Sequence, residues 1–188
     1  MAKLVSNVYG DALFELALEL DRIDDFSEEV SAISEALKEN NDLSKMMSHP
    51  KIDKEEKTRV VENIFKGRVS DEIVGLMVMV IEKDHFKDME DIFDYYINRV
   101  KEYKNIGVAF VKTPMELTDA QKKNVVKKLL DTTDYVSFEM NYEVEPDLIG
   151  GMVIRIGDRV VDSSVKTKIY ELTRQMSKIQ LKVGETAP

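Results

Sequence analysis

The chain has 188 residues, no cysteine and a formal net charge of −9. With 43% hydrophobic and 34% charged residues it can build a real core under a soluble surface, as one large domain or two small ones. Its acidity opposes phosphate backbones and anionic lipid, so no nucleic-acid partner is expected; the missing cysteines exclude disulfide and thiolate chemistry. No apolar run nears the roughly 18–20 residues that span a bilayer. No signal-peptide pattern is read at the start, where one lysine leads directly into an amphipathic stretch, so the chain is expected to face the cytosol.

The first predicted helix runs over Lys3–Leu20. Val5, Val8, Tyr9, Ala12, Leu13, Leu16, Ala17 and Leu20 share a broad apolar face. At about 100° per residue, Leu4, Phe14 and Leu18 fall opposite, with Asn7 and Asp11 beside them. Such a helix either sits centrally in a bundle or offers its second face to a partner. Asp24 or Asp25 is the expected cap of a second helix carrying Phe26, Val30, Ile33 and Leu37. A short piece around Leu43–Met47 ends before Pro50. Asp53 with Glu56 reads as a capping-box variant before Val60, Val61, Ile64 and Phe65. Ser70 opens a fifth helix that is apolar almost all round, with Glu72, Gly75, Glu82 and Lys83 as its narrow polar side and Leu76 and Met79 bordering it. A sixth helix, from about Asp88 to Lys104, turns Met89, Ile92, Phe93, Tyr96, Ile97, Val100 and Tyr103 inward. The first part of the chain is therefore predicted to be an all-α six-helix bundle over 1–105.

The pattern changes at Asn105-Ile106-Gly107. Val108–Val111 is a β-prone run stopped by Thr113-Pro114. Thr118 caps a helix reaching Asp131, with Val125, Val126, Leu129 and Leu130 on its apolar side. Val136, Phe138, Met140, Tyr142 and Val144 alternate with polar residues, the period of a half-buried strand. Pro146 forces a turn, Gly150 and Gly151 permit angles or approaches closed to other residues, and Met152–Ile156 is a strand. Gly157-Asp158 suits a two-residue type II′ hairpin loop. Asp162, Ser163 and Ser164 offer cap oxygens to a long last helix whose Val165, Ile169, Leu172, Met176 and Ile179 form one apolar seam. This part is predicted to be a small C-terminal α+β domain over 106–182, with 183–188 a flexible tail.

Residues that could carry chemistry are few. His49 and His85 have no metal-ligand partner at helical spacing. The glycines fit no phosphate loop, and Asp147, Asp158 and Asp162 suit turns and caps. Lys122, Lys123, Lys127 and Lys128 make a basic helix face, either solvated or set to meet an acidic partner helix. No catalytic residue, cofactor site or metal site is read. Two functions compete: a structural connector, and a small-ligand or nucleotide-binding enzyme using the glycine-rich hairpin Gly150–Asp158.

The run P-D-L-I-G-G from Pro146, followed by I-R-I-G-D-R-V-V-D-S-S-V to Val165, resembles the C-terminal signature of the delta subunit of bacterial ATP synthase, whose mitochondrial counterpart is the oligomycin-sensitivity conferral protein. Glu145 stands where the family usually has Asp. Y-G-D-A-L-F-E-L-A from Tyr9 is similar to the family's N-terminal motif, with Gly10 where a better helix former is usual, a departure of about 1 kcal/mol in an exposed helix. The resemblance implies a non-catalytic stator connector that couples ion flow to ATP synthesis, peripheral to the bacterial membrane on its cytoplasmic side and attached only through the complex. It implies that the helical domain binds N-terminal segments of the alpha subunits, expected on Leu4, Asn7, Asp11, Phe14, Leu18, Leu76 and Met79. The C-terminal domain would hold the C-terminus of the peripheral-stalk b subunit, expected on Val165, Leu172, Met176 and Ile179.

Overall fold

The computed structural model describes residues 2–47, 49 and 52–183. It divides into two compact units, Met1–Tyr103 and Lys104–Pro188.

The first unit is helical: α1 Ala2–Glu19, α2 Ile23–Glu39, α3 Asn41–Met47, α4 Lys54–Phe65, α5 Asp71–Glu82, a 3-10 turn at Phe86–Asp88, and α6 Met89–Tyr103. Periodicity explains the best-formed of these. Met89, Ile92, Phe93, Tyr96 and Val100 recur on one face of α6, and Phe26, Val30, Ile33 and Leu37 on one face of α2; all are buried. Helix α5 brings Ile73, Val74, Met77, Val80 and Ile81 into the same core, which also takes Leu13, Phe14 and Ala17 of α1. Fully burying such side chains contributes about 1.5–3 kcal/mol each, so this one cluster dominates the unit's stability.

Three local expectations are corrected. Asp24 and Asp25 lie inside the first turn of α2, and Arg22 holds the cap position. Asp53 precedes α4 in extended conformation but makes no side-chain cap bond, so there is no capping box there. Gly10 is not an exposed weak point: it is buried, and a Cβ there would run into the Tyr95 ring of α6. The glycine permits α1 and α6 to approach closely. Ser70 does precede α5, through a latch from another helix. Its N–H and hydroxyl donate to Glu29 of α2 at 2.7 and 2.8 Å, while Arg22 donates to its Oγ at 2.9 Å.

The second unit runs β1 Ile106–Thr113, α7 Asp119–Thr132, β2 Ser137–Val144, a 3-10 turn at Pro146–Leu148, β3 Val153–Ile156, β4 Arg159–Asp162 and α8 Val165–Val183. The sheet order is β2-β1-β3-β4. β1 and β2 are parallel, so a crossover must join them, and α7 supplies it. A capping box of Thr118 and Gln121 opens that helix. β3 pairs antiparallel with both β1 and β4. Gly157 has φ 54 while Asp158 is not among the positive-φ residues, as the type II′ loop requires. Among the described residues Ala109 and Val111 of β1 with Val125 and Leu129 of α7 form the buried cluster, with Phe138, Met140, Met152, Ile154 and Ile156 packed around it. Of the tail expected over 183–188, Val183 belongs to α8 and 184–188 lie outside the described residues.

Candidate partner-binding surfaces

Two surfaces expose apolar side chains at helical spacing, one in each unit. On α1, Leu4 is 69% and Val8 59% exposed, with Leu18 exposed further along; on neighbouring α5, Met79 is 50% exposed. Asn7 and Asp11 lie between, each partly exposed. Asp11 accepts from the Tyr95 hydroxyl at 3.0 Å and faces Arg99 Nε at 3.8 Å. That hydrogen bond, with the carboxylate beside it, holds the Tyr95 phenol above its ordinary range.

Phe14 does not point outward as expected. It is 7% exposed, with its ring edge-on to Tyr103 at 5.6 Å and Arg99 stacked over it at 5.7 Å. Leu76 is half-buried against the core. Conversely Val8, Ala12 and Leu20, assigned to the inner face, are exposed. The reason is that α1 carries apolar residues on two sides, so its pattern has no sharp direction, and packing against α6 sets the rotation.

In the second unit α8 leaves its seam open. Leu172 and Met176 are exposed, as are Ile169 and Tyr170; Val165 is half-buried against Gly150. The side chain of Ile179 lies outside the described residues.

The glycine-rich segment is occupied by the fold itself. Gly151 has φ 75, and a Cβ there would meet the Ser163 carbonyl. Gly150 O accepts from Val165 N at 2.9 Å, and Ser163 N and Oγ donate to Met152 O at 2.9 and 2.8 Å. Asp162 accepts from Ser164 N at 2.8 Å and from the Thr167 hydroxyl at 2.7 Å, and Ser164 Oγ accepts from Thr167 N at 3.3 Å. The Ser164 N–H foremost, then the Thr167 hydroxyl, pull the Asp162 carboxyl below its usual range. Pro146 starts the preceding 3-10 turn, and the whole segment clasps the beginning of α8. Sequence reasoning missed one residue here. Ile149 has φ 64, ψ −41 and is 66% exposed, while Gly150 N donates to Leu148 O at 2.7 Å across it. That is a γ-turn around a β-branched residue, a strained conformation no propensity rule would assign.

His85 meets Asp88 through Nδ1 at 3.1 Å. Among the described residues no group of three His, Cys, Asp or Glu is placed to hold a metal, and no helix is long and apolar enough to cross a membrane. Of the basic face, Lys122 lies over the Tyr142 ring at 5.3 Å.

The family model described as "ATP synthase delta (OSCP) subunit" matches residues 5–176. The chain belongs to that family. It is 52% identical over 181 residues to the ATP synthase subunit delta of Lachnoclostridium phytofermentans, covering 96% of this chain and 100% of that one. Against the subunit delta of Alkaliphilus metalliredigens it is 30% identical, covering 95% and 99%. In fold it resembles a chain of the Toxoplasma gondii mitochondrial ATP synthase hexamer, with a TM-score of 0.70 at 15% identity over 91% of this chain and 96% of that one. As a delta (OSCP) subunit the chain is a non-catalytic stator component of a membrane-bound ATP synthase. The reading of Gly150–Asp158 as an enzyme's ligand site finds no support: the glycines close a hairpin onto a helix cap.

Proposed function

We propose that the helical unit, read as a six-helix bundle over 1–105, grips N-terminal segments of the ATP synthase alpha subunits on the outer side of α1 and the adjoining border of α5. The α+β unit over 106–182 then holds the C-terminus of the peripheral-stalk b subunit, with the exposed seam of α8 as one contact. The protein thus ties catalytic head to stalk, at the cytoplasmic side and bound to the membrane only through the complex. The exposed Leu4, Val8 and Leu18 of α1, with Met79 exposed on neighbouring α5, carry the first half of this reading. These apolar side chains are spaced as a helix-in-groove contact needs, and covering each one contributes about 1.5–3 kcal/mol. Phe14 supports this face from beneath; Asn7 and Asp11 set register along it.

The test is titration of the full chain with a peptide of the alpha-subunit N-terminus. Leu4→Ala and Met79→Ala should each weaken binding by about 1–2 kcal/mol while thermal stability barely moves. Unchanged affinity in both variants would remove α1 and α5 as the alpha contact.

A further inference from the structure

Helix α7 lies over β1 and β2, and among the described residues nothing covers the other half of the same sheet face. Beside it runs a groove of about 550 Å³, walled by Leu117, Val125 and Leu129 on one side and floored by Met152 and Ile154 of the β3 segment. The register extends this floor outward, because residues paired across strands share a face. Ile154 pairs with Val161 and Ile156 with Arg159, so Val161 continues the apolar strip and Arg159 stands at its edge. Val161 is 64% exposed.

Charge selects the occupant. Lys128 lines the groove and Arg159 borders it, against Asp131 alone among the lining acids. Lys128 and Arg159 make no ion pair among the described residues. The chain's own α8 is a poor fit, since its polar positions include Lys166, Lys168 and Arg174 against Glu171. From this we infer that the α7–β3 groove receives an amphipathic partner helix with acidic flanks, its apolar face on Ile154 and Val161 and its carboxylates toward Lys128 and Arg159. The inference rests on the reading that this unit holds the stalk, and moves the principal stalk contact from the α8 seam to the groove.

The experiment titrates the full-length protein with a labelled synthetic peptide of the b subunit's C-terminal helix, following anisotropy. The variants are the double reversal Lys128→Glu/Arg159→Glu, the floor change Val161→Asp, and the α8 pair Leu172→Ala/Met176→Ala. Both groove variants should lose at least tenfold in affinity with unchanged far-UV circular dichroism. A peptide with its acids changed to lysine should recover the double reversal and bind the natural protein worse. If the peptide binds the groove variants normally and fails only on the α8 pair, the groove assignment is overturned and the stalk reading stands. A peptide that does not bind the natural protein at all sinks the stalk reading, and the groove with it. Concentration-dependent dimerisation that the groove variants abolish, with no loss of peptide affinity, would make the occupant a second copy and also overturn the inference.

Discussion

The helical unit and the α+β unit solve the problem of burial differently. In the first, one continuous cluster draws side chains from α1, α2, α3, α4, α5 and α6, and apolar exposure is confined to a few positions such as Leu4, Val8 and Met79. In the second, four small or medium side chains form the buried cluster, while Val144, Ile149, Val160, Val161, Ile169, Leu172 and Met176 stay exposed. Burial of apolar area is the main favourable term in folding, so the first unit closes most of its apolar surface within itself while the second leaves much more of it open. The charges divide the same way, with the acidic excess in the first unit and α7 and α8 of the second both rich in lysine.

The largest effect should come from Phe14→Ala. A buried aromatic removed from a closed core costs about 3–5 kcal/mol, read in urea unfolding of the full chain. Leu172→Ala on α8 should stay within about 0.5 kcal/mol. Similar losses in the two would erase the contrast between the units. Next is Gly10→Ala, where the new methyl meets the Tyr95 ring: overpacking should cost about 1–3 kcal/mol. Adding Tyr95→Ala should make the glycine change nearly neutral, and a strictly additive double-mutant cycle would show that the close approach is not what Gly10 supplies.

Ile149→Gly works in the opposite direction. Relief of a strained γ-turn, offset by glycine's entropy, should raise stability by roughly 1 kcal/mol. A loss would mean that the exposed isoleucine makes contacts within the chain. The smallest effect concerns pH. The Ser164 N–H and the Thr167 hydroxyl hold the Asp162 carboxyl below the ordinary aspartate range in the folded unit, so its contribution to the clasp is present above the unfolded value and is lost as pH falls through the lower folded one. The Ser164 amide resonance should titrate with a midpoint below that of an ordinary aspartate, and Asp162→Asn should flatten the curve. A midpoint at or above that value would show that the cap bonds do not hold the carboxylate.

Legibility followed the strength of periodic signals. The face of α2 could be read directly, and that of α6 except at Tyr103, which is exposed. Around β2 the alternation marked a face of which Phe138 and Met140 pack against the core, while Val136, Tyr142 and Val144, expected half-buried with them, stay exposed. The cap of α7 and the hairpin loop at Gly157 were readable because few residues satisfy those geometries. Rotation of α1 was not, since a helix apolar on two sides takes its inner face from its neighbour. The tight seat of Gly10 depends on Tyr95, far away in sequence, and Ile149 adopts angles that local preference argues against. The groove beside α7 was invisible for a different reason: it is defined by where one helix stops covering a sheet, which only the strand order reveals.

The strand register has a mechanical consequence. The chain enters the second unit at Ile106, at the start of β1, and leaves toward α8 at Asp162, at the end of β4. The partners Lys112↔Val153 and Val153↔Asp162 put that exit at the sheet end opposite Ile106. Because β3 is antiparallel to both, β1 and β4 run in the same direction, and tension between entry and exit pulls them along their lengths in opposite senses. The bonds joining β1 to β3 and β3 to β4 lie across the strands, so they share that load together instead of opening one after another. Strands pulled lengthwise past each other yield far less readily than strands peeled apart from one end. A pull applied between Ile106 and α8 would therefore meet the sheet in its stiffest direction.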